Sequence, residues 1–174
     1  MKATELTPNP SVATSVNDAG FVTNNVLWVN EYPKEQQFVT YADTSGERLL
    51  YHGKCGGRPQ FLTNDLVLVL GCKHPLIIGT HGNVIRSLLS AKGTLSYAGV
   101  SQNGKRFALQ AASFTGMHSL KQERFVIYST DSGEPIAEVT PDSPAEEQSL
   151  TAFSPNGSMF VVGSPLRLTL YRLP

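Results

Sequence analysis

Residues 149–173 read SLTAFSPNGSMFVVGSPLRLTLYRL, and this stretch decides the fold. Ser149, Leu150, Thr151, Ala152 and Phe153 make a short strand candidate. Ser154-Pro155-Asn156-Gly157 follows as a turn, because Asn and Gly tolerate the positive φ that tight hairpins need. Met159 to Gly163 is a second apolar run, broken by Ser164-Pro165. Leu166, Leu168 and Leu170 then alternate with Arg167 and Thr169, the period of two expected of a half-buried strand. The stretch therefore predicts three antiparallel strands joined by two turns.

Parts of it recur upstream. Gly99-Val100-Ser101-Gln102-Asn103-Gly104-Lys105-Arg106-Phe107-Ala108 matches residues 152–161 through a shared Ser-x-Asn-Gly-x-x-Phe pattern with apolar flanks. In the first half, Phe21-Val22-Thr23-Asn24-Asn25-Val26-Leu27-Trp28-Val29 matches residues 61–69, reading FLTNDLVLV, at an offset of 40 residues. A third match joins the halves: Tyr41-Ala42-Asp43-Thr44-Ser45-Gly46-Glu47 against Tyr128-Ser129-Thr130-Asp131-Ser132-Gly133-Glu134. These matches come from three different strand junctions and keep a consistent order. They predict a repeated four-stranded unit whose period, about 40–45 residues, is that of a propeller blade.

Composition agrees. The chain has 174 residues, enough for a real core. Its 15 glycines and 11 prolines suit many turns. No window sustains a 3.6-residue apolar repeat, so an all-β fold is expected. Lys plus Arg equals Asp plus Glu at 14 each, which gives no electrostatic reason to seek nucleic acid or an anionic membrane. No apolar stretch approaches the roughly 20 residues that span a bilayer. The first residues, MKATELTPNPSVATS, carry no apolar signal core, so a cytoplasmic location is expected.

The last unit resembles a WD40-type blade. In that family a Ser-Pro-Asp/Asn-Gly turn joins the first two strands and the third ends near Leu-Tyr-x-Leu, here Leu170-Tyr171-Arg172-Leu173. Residues 95–173 carry the likeness best. The family's Gly-His and Trp-Asp dipeptides are absent, and Tyr171-Arg172 stands where Trp-Asp would fall. The expected fold is thus all-β, with about four four-stranded WD40-like β-propeller blades forming a small or partial propeller. The units span roughly 20–54, 59–91, 95–140 and 149–173. Residues 1–18 form a tail, or supply through residues 11–16 the strand that the last unit lacks. Four units imply a small closed ring, a dimer completing a larger ring, or a piece of a longer chain.

The resemblance implies a non-enzymatic scaffold for a protein partner, with binding at a blade rim. In unit three, residues 113–122 read as an insertion between the second and third strands. Long loops on repeat scaffolds tend to carry binding. Phe114, Met117 and His118 are the candidate partner-binding residues, weighed against a simple tucking of this loop over a neighbouring blade.

No catalytic, cofactor-binding or metal-ligating set is expected. Cys55 and Cys72 are the two cysteines, and their spacing to His74 and His81 fits no common zinc pattern. Without a signal peptide, buried free thiols are favoured over a disulfide. His52, His74, His81 and His118 are scattered, with no carboxylate or nucleophile at a fixed offset. There is no Gly-x-Ser-x-Gly elbow, phosphate-binding Gly-x-x-x-x-Gly-Lys-Ser/Thr loop or His-Glu-x-x-His helix. A propeller-type hydrolase or lyase would place Asp, Glu or His at equivalent first-strand positions; Phe21, Phe61, Tyr97 and Thr151 stand there instead. Trp28 aligns with the apolar Leu68 and reads as core. Asn156-Gly157-Ser158 fits the glycosylation pattern but reads as the hairpin turn.

Overall fold

The computed structural model describes residues 15–22, 25–31, 37–43, 46–53, 60–63, 65–71, 74–80, 83–89, 93–115, 119–141, 149–164 and 167–174. Among them every regular element is a strand, and the strands form antiparallel sheets. The chain divides into two compact units, Met1–Ser87 and Leu88–Pro174, each with two sheets.

In the first unit, β1 (Ser15–Val22), β2 (Asn25–Glu31), β3 (Gln37–Asp43) and β4 (Gly46–Gly53) pair in chain order. Ser15 and Val16, part of the segment considered as a closing strand for the last unit, instead pair with Glu31 and Asn30 of β2. Residues 11–14 lie outside the described residues. Trp28 is paired with Ala19 and Thr40. The second sheet is β5 (Gln60–Phe61), β6 (Leu66–Val69), β7 (Leu76–Gly79) and β8 (Val84–Ser87), again in order. Its two middle strands are continuous β-branched and leucine runs because both of their faces are covered. Val67, Leu68, Ile77 and Ile78 have no exposed surface, and such residues favour a packed pleated surface.

In the second unit, β9 (Thr94–Val100), β10 (Arg106–Thr115), β11 (Ser119–Ser129) and β12 (Pro135–Val139) make the third sheet. The fourth is three-stranded: β13 (Leu150–Phe153), β14 (Met159–Ser164) and β15 (Arg167–Arg172). Alternation sorts their side chains. Ala108, Phe125 and Ile127 of the third sheet close on Phe160 and Val162 of the fourth, with Val139 and Leu173 completing one buried cluster. Phe160 is central, with its ring 5.7 Å from that of Phe125 and 4.8 Å from that of Phe153. On the other face of the third sheet, Phe107 and Tyr128 stack at 5.1 Å.

The two Ser-x-Asn-Gly repeats fold alike. In each, the first serine amide donates to the carbonyl five residues on, from Ser101 to Arg106 at 2.8 Å and from Ser154 to Met159 at 3.0 Å. The glycine amide donates back to the serine carbonyl at 2.8 Å in both. The asparagine Oδ1 accepts the serine hydroxyl and the amide two residues on. The turn is thus four residues wide, and the asparagine contributes its side chain as a local acceptor. The glycines take the positive φ, 68° at Gly104 and 73° at Gly157.

The turns also bond each other. The Asn103 backbone amide donates to the Pro155 carbonyl at 3.3 Å, and its side-chain amide to the Asn156 carbonyl at 3.1 Å. Arg106 donates to the carbonyls of Gly157, at 2.9 Å, and of Pro174.

Two stability effects follow. Gly157→Ala should cost about 1–3 kcal/mol, since a left-handed non-glycine residue is strained and its Cβ would meet Arg106 Cδ and Ser101 Cβ at 3.2 Å. Phe160→Ala should cost about 3–5 kcal/mol by opening a cavity in the shared cluster. Urea unfolding of the two variants beside the parent chain measures both.

Candidate interaction surface

β10 pairs with β9 only as far as Ala112↔Thr94, and β11 meets β12 only from Phe125↔Val139 onward. Beyond those pairs, among the described residues, β10 and β11 pair only with each other, through Ser113↔Gln122, Phe114↔Leu120 and Thr115↔Ser119. The register slips by one residue between the first two of these pairs, leaving Lys121 as a bulge. Residues 113–122 therefore do not form the expected insertion loop. They are largely the end of a long hairpin, a two-stranded arm reaching past the four-stranded sheet. The strands continue because the backbone ladder between two long neighbours needs no third partner, and a bulge adds twist that turns such a ribbon off the sheet. Phe114 lies on this arm by register. Met117 and His118 lie outside the described residues.

The two faces of the arm's base differ in chemistry. On one face Glu123, only 3% exposed, accepts hydrogen bonds from Gln110 Nε2 and from the Ser149 hydroxyl, the latter at 2.9 Å. Gln110 Oε1 in turn accepts from the Ser96 hydroxyl at 2.8 Å. This polar line runs from β9 across β10 and β11 to the residue before β13. A buried carboxylate is tolerated when it is hydrogen-bonded in this way.

The opposite face carries Ala111, Ser113, Gln122 and Arg124, which with Gly93 line an open recess of about 220 Å³. Arg124 Nη1 reaches both carboxylate oxygens of Glu138, at 3.0 and 3.1 Å. Gly93 has φ 113°, and a Cβ there would land 2.6 Å from the Ala112 carbonyl oxygen, so the chain entering β9 lies against β10. The recess thus offers amide and guanidinium donors beside a small apolar floor. It suits a side chain or a turn of a partner better than a large cofactor.

Two tyrosines flank this region. Tyr97 is paired with Leu109, and burial pushes its phenol up to about 12. Tyr128 donates to the Leu89 carbonyl at 3.2 Å. Its pKa is raised by burial, with Arg124 pulling it down and Glu138 pushing it up.

Other sequence candidates are dispersed or lie elsewhere. His74 is exposed, and His52 falls on β4. Cys55, Cys72 and His81 lie outside the described residues. Among the described residues no group of three or more His, Cys, Asp and Glu is placed to hold a metal ion. No helix there is long and apolar enough to cross a membrane. Sequence reasoning passed over Gln122, Glu123 and Arg124. Their signal was the length of the apolar-to-polar run from residue 119 to 129, well above the usual five or six residues of a strand.

No protein-family model and no curated protein sequence matches the chain. Solved structures do. Kluyveromyces lactis Hsv2 is 14% identical with a TM-score of 0.61, over 92% of this chain and 48% of that one. The WD40 domain of Toxoplasma gondii coronin is 12% identical with a TM-score of 0.58, over 90% and 42%. The fold is that of a WD40-like β-propeller. A candidate 6-phosphogluconolactonase of Bacteroides uniformis is also similar, at 16% identity and a TM-score of 0.55, over 92% and 53%. At these identities the likeness concerns the fold alone. The chain spans about half the length of the structures it matches.

The tyrosine shift has a measurable consequence. Folding raises the Tyr97 pKa from 10.0 to about 12, so the folded form holds this proton more tightly than the unfolded one. The resulting stabilisation is whole below about pH 10 and is lost as pH climbs through about 12. Near-ultraviolet phenolate absorbance should show one tyrosine titrating near pH 12 that is missing in Tyr97→Phe. That variant should also lose less stability between pH 10 and 12.

Proposed function

We propose that this chain is a WD40-like scaffold that captures a protein partner through the arm of its third sheet. The observation that carries this reading is the arm itself. Two strands leave the protection of β9 and β12 and run on together, with a donor-lined recess at their base. Among the described residues this end of the ribbon has no third strand beside it, and an unpaired strand edge suits recognition of an extended segment of another protein.

In this reading Phe114, Met117 and His118 are the anchor residues, and Gln122 and Arg124 supply polar contacts at the base of the arm. Aromatic, methionine and arginine side chains are the types enriched where binding energy concentrates. The polar line through Glu123 holds the base of the arm to the fourth sheet, so the partner meets a positioned element.

Propeller folds host unrelated functions, so the reading rests on the arm and recess rather than on the fold. The chain as read is non-enzymatic; the lactonase likeness brings a fold, at 16% identity, and no set of reacting residues with it.

Replacing residues 113–122 with a two-residue Asn-Gly turn should leave the far-ultraviolet circular dichroism and the melting temperature close to those of the parent. It should abolish capture of a cross-linked partner from lysate. Undiminished capture by the shortened chain would refute the proposal. Phe114→Ala with Met117→Ala should weaken capture at least tenfold without altering the fold.

A further inference from the structure

The recess at the root of the arm is built from two opposed pairs, Ala111↔Arg124 and Ser113↔Gln122. Directly opposed residues of antiparallel strands share a face, so a hydroxyl, a carboxamide and a guanidinium surround one small floor. Backbone keeps that floor low. Ala111 offers only a methyl group, and at Gly93 the Ala112 carbonyl oxygen stands where a Cβ would be, 2.6 Å away. Among the described residues, Arg124 is the one charged side chain that lines the recess.

The acid nearest to it stands outside the lining. Glu138 of β12 pairs with Val126, two residues beyond Arg124 on β11 and on the same face. Arg124 Nη1 donates to both Glu138 oxygens, at 3.0 and 3.1 Å. The Glu138 side chain is 50% exposed and that of Arg124 23%, so the acid sits on the wet side of the pair and the guanidinium on the enclosed side. A pair this open to water holds its acid weakly, because solvent and salt screen the attraction.

We infer, on the reading of the arm as the capture element, that the recess is a carboxylate site: it takes an aspartate or glutamate side chain of the captured segment, which Arg124 binds in exchange for Glu138. Charge complementarity selects this group. A guanidinium with no acid in the surrounding wall favours an anion, and its planar fork matches a carboxylate. The Ser113 hydroxyl and the Gln122 amide add neutral donors of the right kind beside it. One cation balances one negative charge, whereas a phosphate brings nearly two and is recognised by clusters of arginines. The contact that Arg124 already makes is with a carboxylate, so Glu138 is the chain's own stand-in for the ligand.

A phage-displayed library of random peptides, panned on the full chain, should yield peptides that share an acidic position. Changing that residue to its amide, which keeps the shape and removes the charge, should weaken binding of the fluorescein-labelled peptide about tenfold in a polarisation assay. Glu138→Gln should tighten the acidic peptide about threefold, because the resident competitor is gone. If Glu138 only held Arg124 in position, the same variant would weaken it. Arg124→Gln should erase the preference for acid over amide; should that variant not fold, the peptide exchange and Glu138→Gln decide the matter without it. Peptides with no common acid, an amide twin that binds equally, a phosphoserine twin that binds more tightly, weaker binding by Glu138→Gln, or a library that yields no binder each overturn the inference. Peptides that lack a shared acid and yet need residues 113–122 for binding would leave capture by the arm standing, so the two failures are distinguishable.

Discussion

The second unit depends on one repeated device, the pair of Ser-x-Asn-Gly turns that bond to each other. Each turn satisfies its own amides, and then Asn103 and Arg106 of one reach the carbonyls of the other and of Pro174. A neutral hydrogen bond contributes about 0.5–1.5 kcal/mol net, and one from a charged group about 1.5–3. Four such contacts between two adjacent sheets are enough to set how far one slides along the other. That offset decides which side chains meet. With it fixed, Phe160 falls between Phe125 and Phe153, and Val162 and Leu173 close the cluster.

The same interface is pinned at its far end by a different interaction. Glu123 accepts from Ser149 there, with Gln110 and Ser96 behind it. A buried carboxyl group with two donors is costly to misplace, since losing either donor leaves one of its oxygens buried without that hydrogen bond. The two sheets are thus held at one end by backbone carbonyls and at the other by a side-chain network, with the apolar cluster and the Thr151 hydroxyl donating to the Ala98 carbonyl between. This explains how the arm can depart from the sheet just beyond Glu123 and still have a fixed root. It also explains why the recess beside Arg124 lies on the face away from the fourth sheet: alternation sends Glu123 one way and Arg124 the other.

Covering one face of a sheet leaves the same question open for its other face. In the third sheet both faces are buried, with Phe107 and Tyr128 on one and Phe125 and Ile127 on the other. In the fourth, only one is. The exposed leucines of β13 and β15 reflect what packs beside the sheet and not any local property of their strands.

The sequence by itself determined the all-β class, the strand-turn-strand repeat and the turn chemistry. These are local: alternation has a period of two, and a Ser-x-Asn-Gly segment folds on hydrogen bonds to its own backbone. The resemblance of residues 95–173 to a WD40-type blade rested on the same local features, and the fold agrees with it. Other features were beyond local reading. Phe21 and Phe61 sit in matching segments, yet Phe21 pairs with Val26 whereas Phe61 pairs with Val67, one position further along the repeat. A strand such as β6, buried on both faces, has no polar side to fix its register. The arm was read as a loop because serine, threonine, glycine and histidine dominate residues 113–119, and only the pairing of two long strands overrode that composition. Nothing local marks Glu123, because the Ser149 hydroxyl that it accepts from comes from 26 residues away. Which apolar face is covered and which is left open is decided by what packs beside it, and no alternation pattern within a strand carries that information.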